Sequence, residues 1–192
     1  AESVSADISP VGQPGRPHYF TLIVLQKEMG SSWAAARATL EKLSRNSEGL
    51  DTRRLKALAA RAGEVSAEPS KVRSLIRCIG SLGGEKCIVF TQFRCTQDAI
   101  VEALRATGAE PAVFHGELGW REKEEVLETF RTVSPVLVST EAGGEGRNLQ
   151  FCRIVINYDL PWNPMRLEQR IGRVHRLGQE HPVKVINLAA RG

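Results

Sequence analysis

Apolar positions recur along this chain with two different periods, and the change between them divides it. From His18 to about Leu82 the recurrence is helical, in YFTLIVLQKEM, in SSWAAARATLEKLSR with Ser31 or Ser32 as the cap, and in DTRRLKALAARAG with Asp51 capping and Gly63 closing. Pro69-Ser70 then opens a fourth helix. After Gly83-Gly84 the pattern becomes short apolar runs separated by helical ones. CIVFTQF (87–93) is a continuous run of β-formers, followed by a helix from about Gln97 to Ala106 with Gly108 beyond its end. AVFH (112–115), PVLVST (135–140), RIVINYD (153–159) and VKVINL (183–188) read as further strands, and REKEEVLETF (121–130) as a helix. Strands apolar on both faces and alternating with helices predict an α/β fold, a parallel sheet with helices on both faces. The expected organisation is a polar leader over 1–17, a helical segment over 18–82 and an α/β lobe over 83–192.

One more helix is predicted from about Pro164. Asn163 supplies a side-chain cap and the proline occupies the first helical position. Leu167, Ile171 and Val174 recur at i, i+4, i+7 as a packing stripe, while Gln169, Arg173 and Arg176 recur about 200° away. A row of cations on a helix is usually a solvated face. Here Arg166, Arg170, Arg173 and Arg176 are all arginine and none is lysine, and the planar guanidinium fork suits phosphate oxygens.

In an open parallel sheet, ligands bind beyond the carboxyl ends of the strands. Polar residues and glycines gather there: Thr91-Gln92, His115-Gly116, Ser139-Thr140, and Asn157 to Asp159. Ser139, Thr140 and the glycines at 143, 144 and 146 offer hydroxyl donors and close backbone approach, which suits a phosphodiester contact that reads no base. A glycine-rich turn without a ligand is the alternative. A dinucleotide-binding fingerprint fails, because GGEGRNL lacks the third glycine and leaves no room for the helix that must follow. Trp162 is expected to pack against the last helix rather than stack on a base. Glu141, Glu145 and Glu168 read as partners of nearby arginines, and Arg53, Arg54, Lys56 and Arg61 as a solvated face.

Composition changes this picture little. At 192 residues, 42% hydrophobic and 25% charged, with a net charge of +4, the chain is an ordinary globular one that permits nucleic-acid binding without demanding it. Four cysteines form no CxxC pair and have no histidine at ligand spacing, so reduced, mostly buried thiols are expected and no metal site. The apolar run near Tyr19 to Leu25 is too short to span a bilayer and lacks a signal-peptide layout, giving a cytoplasmic expectation with no membrane partner. A chain opening on Ala1 with a Pro/Gly-containing leader is expected to be part of a longer one.

The stretch QRIGRVHRLGQ resembles motif six of superfamily-two helicases, and DLPWNPMRLEQRIGRVHRLGQ resembles the bacterial branch of the Swi/Snf-type ATPases. VLVSTEAGGEGRNL is similar to motif five, so the resemblance runs nearly unbroken over 136–179. HGE before the REKEE helix resembles motif four-a. The resemblance implies a C-terminal RecA-like lobe, with Arg173 and Arg176 as arginine fingers reaching the γ-phosphate of ATP on a partner lobe. It places Gly146, Asn148 and Gln169 near the nucleotide. Thr91, Gln92, His115, Gly116, Ser139, Thr140 and Arg170 are placed toward nucleic acid, with double-stranded DNA as the expected partner.

The chain contains no G-x-x-x-x-G-K-[ST] cradle and no acidic pair for magnesium; Gly83-Gly84-Glu85-Lys86 comes nearest and has the wrong spacing. The resemblance implies that ATP and Mg2+ are bound mainly by an N-terminal RecA-like lobe of the same parent chain, and residues 1–192 alone are expected to be monomeric and inactive. Arg170 stands where eukaryotic remodellers typically carry alanine, which favours a bacterial role in clearing or repairing DNA–protein complexes over nucleosome sliding. A nucleic-acid or protein-binding module without ATPase activity is the alternative from another class, and a small-molecule Rossmann enzyme a weaker one.

Overall fold

The computed structural model describes residues 19–46, 52–65, 70–140, 149–175 and 178–189. Gly146, Asn148 and Arg176, the glycines at 143 and 144, Glu141, Glu145 and the cap expected at Asp51 lie outside them. Four helices come first: α1 (Tyr19–Ser31), α2 (Trp33–Asn46), α3 (Thr52–Val65) and α4 (Ser70–Gly80). Ser32 is the cap between the first two, its Oγ accepting from the Ala35 N–H at 3.2 Å. Helix α3 runs through Gly63 to Val65 instead of closing at the glycine.

The remaining elements alternate: β1 (Cys87–Thr91), α5 (Arg94–Arg105), β2 (Ala112–Phe114), α6 (Trp120–Thr132), β3 (Val136–Thr140), β4 (Ile154–Asn157), α7 (Pro164–Ile171) and β5 (Lys184–Asn187). The strands form one sheet in the order β2-β3-β1-β4-β5, every pair parallel. Val89 lies opposite Val138 on one side and Ile156 on the other. Strand β1 is thus the position at which the order reverses, with the chain leaving it on both flanks.

Because side chains alternate along a strand, each central strand feeds two cores. Cys87, Val89, Val136, Val138, Ile154 and Ile156 pack with Leu75, Ile100 and Leu104 on one face. Ile88, Phe90, Leu137 and Val155 pack with Phe114, Phe130, Leu149 and Val174 on the other. The sheet is α/β and covered on both faces, as the alternation predicts. Strand β5 departs from the pattern, with Lys184, Val185 and Asn187 exposed on an edge.

One expected limit shifts for a physical reason. Helix α5 begins at Arg94, because Gln97 is an interior residue whose side-chain amide donates to the Phe114 and Val138 carbonyls at 2.9 and 2.8 Å. Across the division expected at 82/83, Val72 and Leu75 of α4 and Leu82 share one cluster with β1, β3 and β4. Among the described residues no helix is long and apolar enough to cross a membrane.

Candidate functional site

The carboxyl ends of β1 and β4 meet at Asp159, two residues beyond β4. Its Oδ2 accepts from the Thr91 hydroxyl at 2.6 Å, the Ser31 hydroxyl at 2.8 Å and the Gln92 N–H at 3.1 Å. The Lys71 ammonium from α4 reaches Oδ1 at 3.3 Å and also the Gly30 carbonyl at 3.0 Å. Burial pushes the Lys71 ammonium below its ordinary pKa, and the neighbouring Asp159 charge opposes that shift. A buried carboxylate with four donors is satisfied on both oxygens, which removes the cost of burying it unpaired.

Thr91, expected to contact nucleic acid, is completely buried in this lobe, and its hydroxyl donates to Asp159. Gln92 is only partly covered, with its Nε2 donating to the Leu160 carbonyl at 3.3 Å.

Helix α7 starts as the sequence predicts, with Asn163 Oδ1 accepting from the Met165 N–H at 3.0 Å and Pro164 in the first turn. Its burial is different from the expected stripe. Val174 is buried and Leu167 and Ile171 are half-buried, but the most buried residue of the helix itself is Arg170, 3% exposed. The Arg170 guanidinium donates to Asn157 Oδ1 at 2.8 Å and to the Asp159 carbonyl at 2.6 Å, and lies 5.4 Å from the Phe90 ring centre. Arg170, expected to face nucleic acid, is thus buried here and anchors the helix to the end of β4. Gln169 is exposed, and Arg173, in the turn after the helix, is half-buried. The expected packing of Trp162 is corrected: the residue is 80% exposed, with the Lys27 ammonium 5.6 Å from its ring, instead of packed on α7.

On the other flank, Ser139 and Thr140 close β3 and are both buried, the Ser139 hydroxyl donating to the Thr140 carbonyl at 3.1 Å. His115 follows β2 with its side chain only 13% exposed and Nδ1 3.8 Å from Glu117 Oε2. Burial lowers its pKa first and the Arg94 charge second, while Glu117 works the other way. Gly116 is exposed and its carbonyl accepts from Lys123 at 3.3 Å.

Ser31, Ser32, Thr96 and Lys71 carry no sequence signal as parts of this edge. Their partners are distant in the chain, Ser31 and Asp159 being 128 positions apart, so no local spacing marks them. Among the described residues, no three His, Cys, Asp or Glu side chains gather in a way that could hold a metal ion.

Residues 70–178 match the profile of the helicase conserved C-terminal domain. The chain is 41% identical over 176 residues to the uncharacterized ATP-dependent helicase YqhH of Bacillus subtilis (strain 168), covering 90% of this chain and 31% of that protein. It is 35% identical over 120 residues to the RNA polymerase-associated protein RapA of Vibrio parahaemolyticus, covering 60% of this chain and 12% of the relative. It therefore spans under a third of the length of either relative. Among solved structures, the helicase domain of Pyrococcus furiosus Hef superposes with a TM-score of 0.64 at 25% identity, over 90% of this chain and 40% of that one.

Proposed function

This chain belongs to the family of helicase conserved C-terminal domains, in the Swi/Snf-type branch of superfamily two, and we propose that it is the second RecA-like lobe of an ATP-dependent translocase on double-stranded DNA. The observation that carries the proposal is the anchoring of α7. Arg170 binds the end of β4 through two hydrogen bonds, so the arginine-bearing turn that follows is fixed at the edge where open parallel sheets meet their ligands.

In this reading an N-terminal lobe of the parent chain holds ATP and Mg2+ and closes onto that edge. Arg173 and Arg176 then supply guanidinium groups to the transferring phosphoryl oxygens, where preorganised charge lowers the barrier without reorganising solvent. Gln169, exposed one turn earlier, and Gly146 and Asn148 complete the nucleotide side. Duplex DNA takes the other part of the edge by backbone contact, with Gln92, His115 and Gly116 partly or fully accessible. Ser139 and Thr140 belong to the same contact by resemblance, while Thr91 and Arg170 hold the edge in shape from within.

The test is ATP turnover by the full-length protein with duplex DNA, single-stranded DNA and RNA. Arg173→Ala is expected to lower duplex-stimulated kcat by roughly 10³–10⁵. Residues 1–192 alone are expected to turn over no ATP. An Arg173→Ala protein within a few-fold of the parent would overturn the finger assignment, and stimulation by RNA alone would overturn the duplex assignment.

A further inference from the structure

We propose that the corner joining α1 and α2 is a positioning device for Arg173, acting through Asp159 and Arg170; the inference rests on reading Arg173 as an arginine finger. The corner is Gly30-Ser31-Ser32, and it is set into the carboxyl edge beside β1 and β4 by polar contacts. Ser31 and Ser32 are both buried. The Ser31 hydroxyl donates to Asp159 Oδ2 at 2.8 Å, Ser32 Oγ lies 2.7 Å from Thr96 Oγ1 on α5, and Lys71 ties the Gly30 carbonyl to Asp159 Oδ1.

From Asp159 the bonds continue without a gap. The Asp159 carbonyl accepts from Arg170 at 2.6 Å, the Arg170 carbonyl accepts from the Arg173 N–H at 3.2 Å, and the Arg173 carbonyl accepts from the Leu149 N–H at 3.1 Å. Apolar packing would allow the corner to slide over the lobe, since it is non-directional. Buried hydrogen bonds do not, because each specifies a direction and each is costly to leave unmade. A shift of the corner is therefore transmitted to the backbone that carries Arg173. Catalytic placement is sensitive at this scale, a misplacement of about 1 Å costing on the order of 100-fold in rate.

The experiment uses the full-length protein and single-turnover ATP hydrolysis on duplex DNA, with Ser31→Ala, Thr96→Val, Arg173→Ala and the two double variants. Thr96→Val loosens the corner without touching Asp159. Either corner variant is expected to lower kcat by roughly tenfold and to leave the KM for ATP unchanged, since the other lobe supplies most of the binding. In the Arg173→Ala background neither is expected to lower kcat further, because the group they position is gone. A purely structural role reduces the active fraction equally in both backgrounds, so equal falls with and without Arg173 overturn the coupling while leaving the finger assignment intact. Corner variants with unchanged kcat overturn it as well. An Arg173→Ala protein that turns over normally removes the finger assignment itself, and the two failures are thereby told apart.

Discussion

The Lys71 ammonium lies 3.3 Å from Asp159 Oδ1 and 4.5 Å from the centre of the Tyr158 ring, with both charged side chains almost covered. The pair joins α4 to the end of β4, with side-chain exposures of 10% and 6%. Lys71→Met is expected to destabilise the fold by about 3–5 kcal/mol, because it leaves a buried carboxylate short of its only cationic partner among the described residues. Urea unfolding of Lys71→Met, Asp159→Asn and the double variant measures this. The double variant should lose less than the sum of the singles.

Arg170 satisfies two acceptors that face inward. Arg170→Met keeps much of the apolar stem and leaves Asn157 Oδ1 and the Asp159 carbonyl without this donor, for an expected loss of about 2–4 kcal/mol in urea unfolding. A substitution with no effect on the midpoint would mean that Arg170 is not held inside.

Asn163 is the exposed counterpart, since its cap bond to the Met165 N–H is the local start of α7. Asn163→Ala is expected to cost about 1 kcal/mol, and Asn163→Ser much less, by the same measurement.

The sequence was legible where the deciding interaction is short-range. Asn163-Pro164 reads correctly because cap and proline act within three residues, and β1, β3 and β4 read correctly because β-branched runs covered on both faces need no knowledge of their partners. The burial of Arg170 is not legible because Asn157 and Asp159, its partners, come from a strand end that helical spacing does not reveal. The burial of Thr91 is not legible because its hydroxyl bonds a residue 68 positions away. Trp162 misleads in the other direction: an aromatic ring beside a helix start suggests packing, yet here it stands in solvent beside Lys27. The Ser31–Thr96–Lys71 side of the edge was not legible, because its contacts join residues far apart in the chain.

His115 gives an acid-sensitive contribution. Its folded pKa is lowered from 6.5, so as the pH falls below that value the unfolded chain takes up a proton before the folded one, and stability is lost. The loss runs from about pH 6.5 down to the folded pKa and is flat below it. Arg94 adds to the lowering, and Glu117, Asp98 and Glu122 oppose it. His115→Asn, which does not titrate, is expected to show a smaller fall in urea midpoint between pH 7.5 and pH 5 than the parent. An equal fall in both proteins would assign the acid limb to other groups.

The thiols separate by burial. Cys87 and Cys152 are buried, and desolvation raises their pKa to about 12 and about 11, so neither is a thiolate at neutral pH. Alkylation of the native protein at pH 8 is expected to label Cys78 first, and Cys87 and Cys152 only after unfolding, as read by peptide mass. Rapid native labelling of Cys87 would contradict the core described above.

Helix α4 lies on the underside of the sheet, with Leu75 completely buried there. A version of this protein shortened to begin at Gly83 would remove Val72 and Leu75 from the cluster they share with Val89, Val138, Ile154 and Ile156, leaving Ile100, Val101 and Leu104 of α5 as the helical cover of a partly opened apolar face. Such a truncation should clump on expression, whereas one beginning a few residues before Ser70 retains its lining.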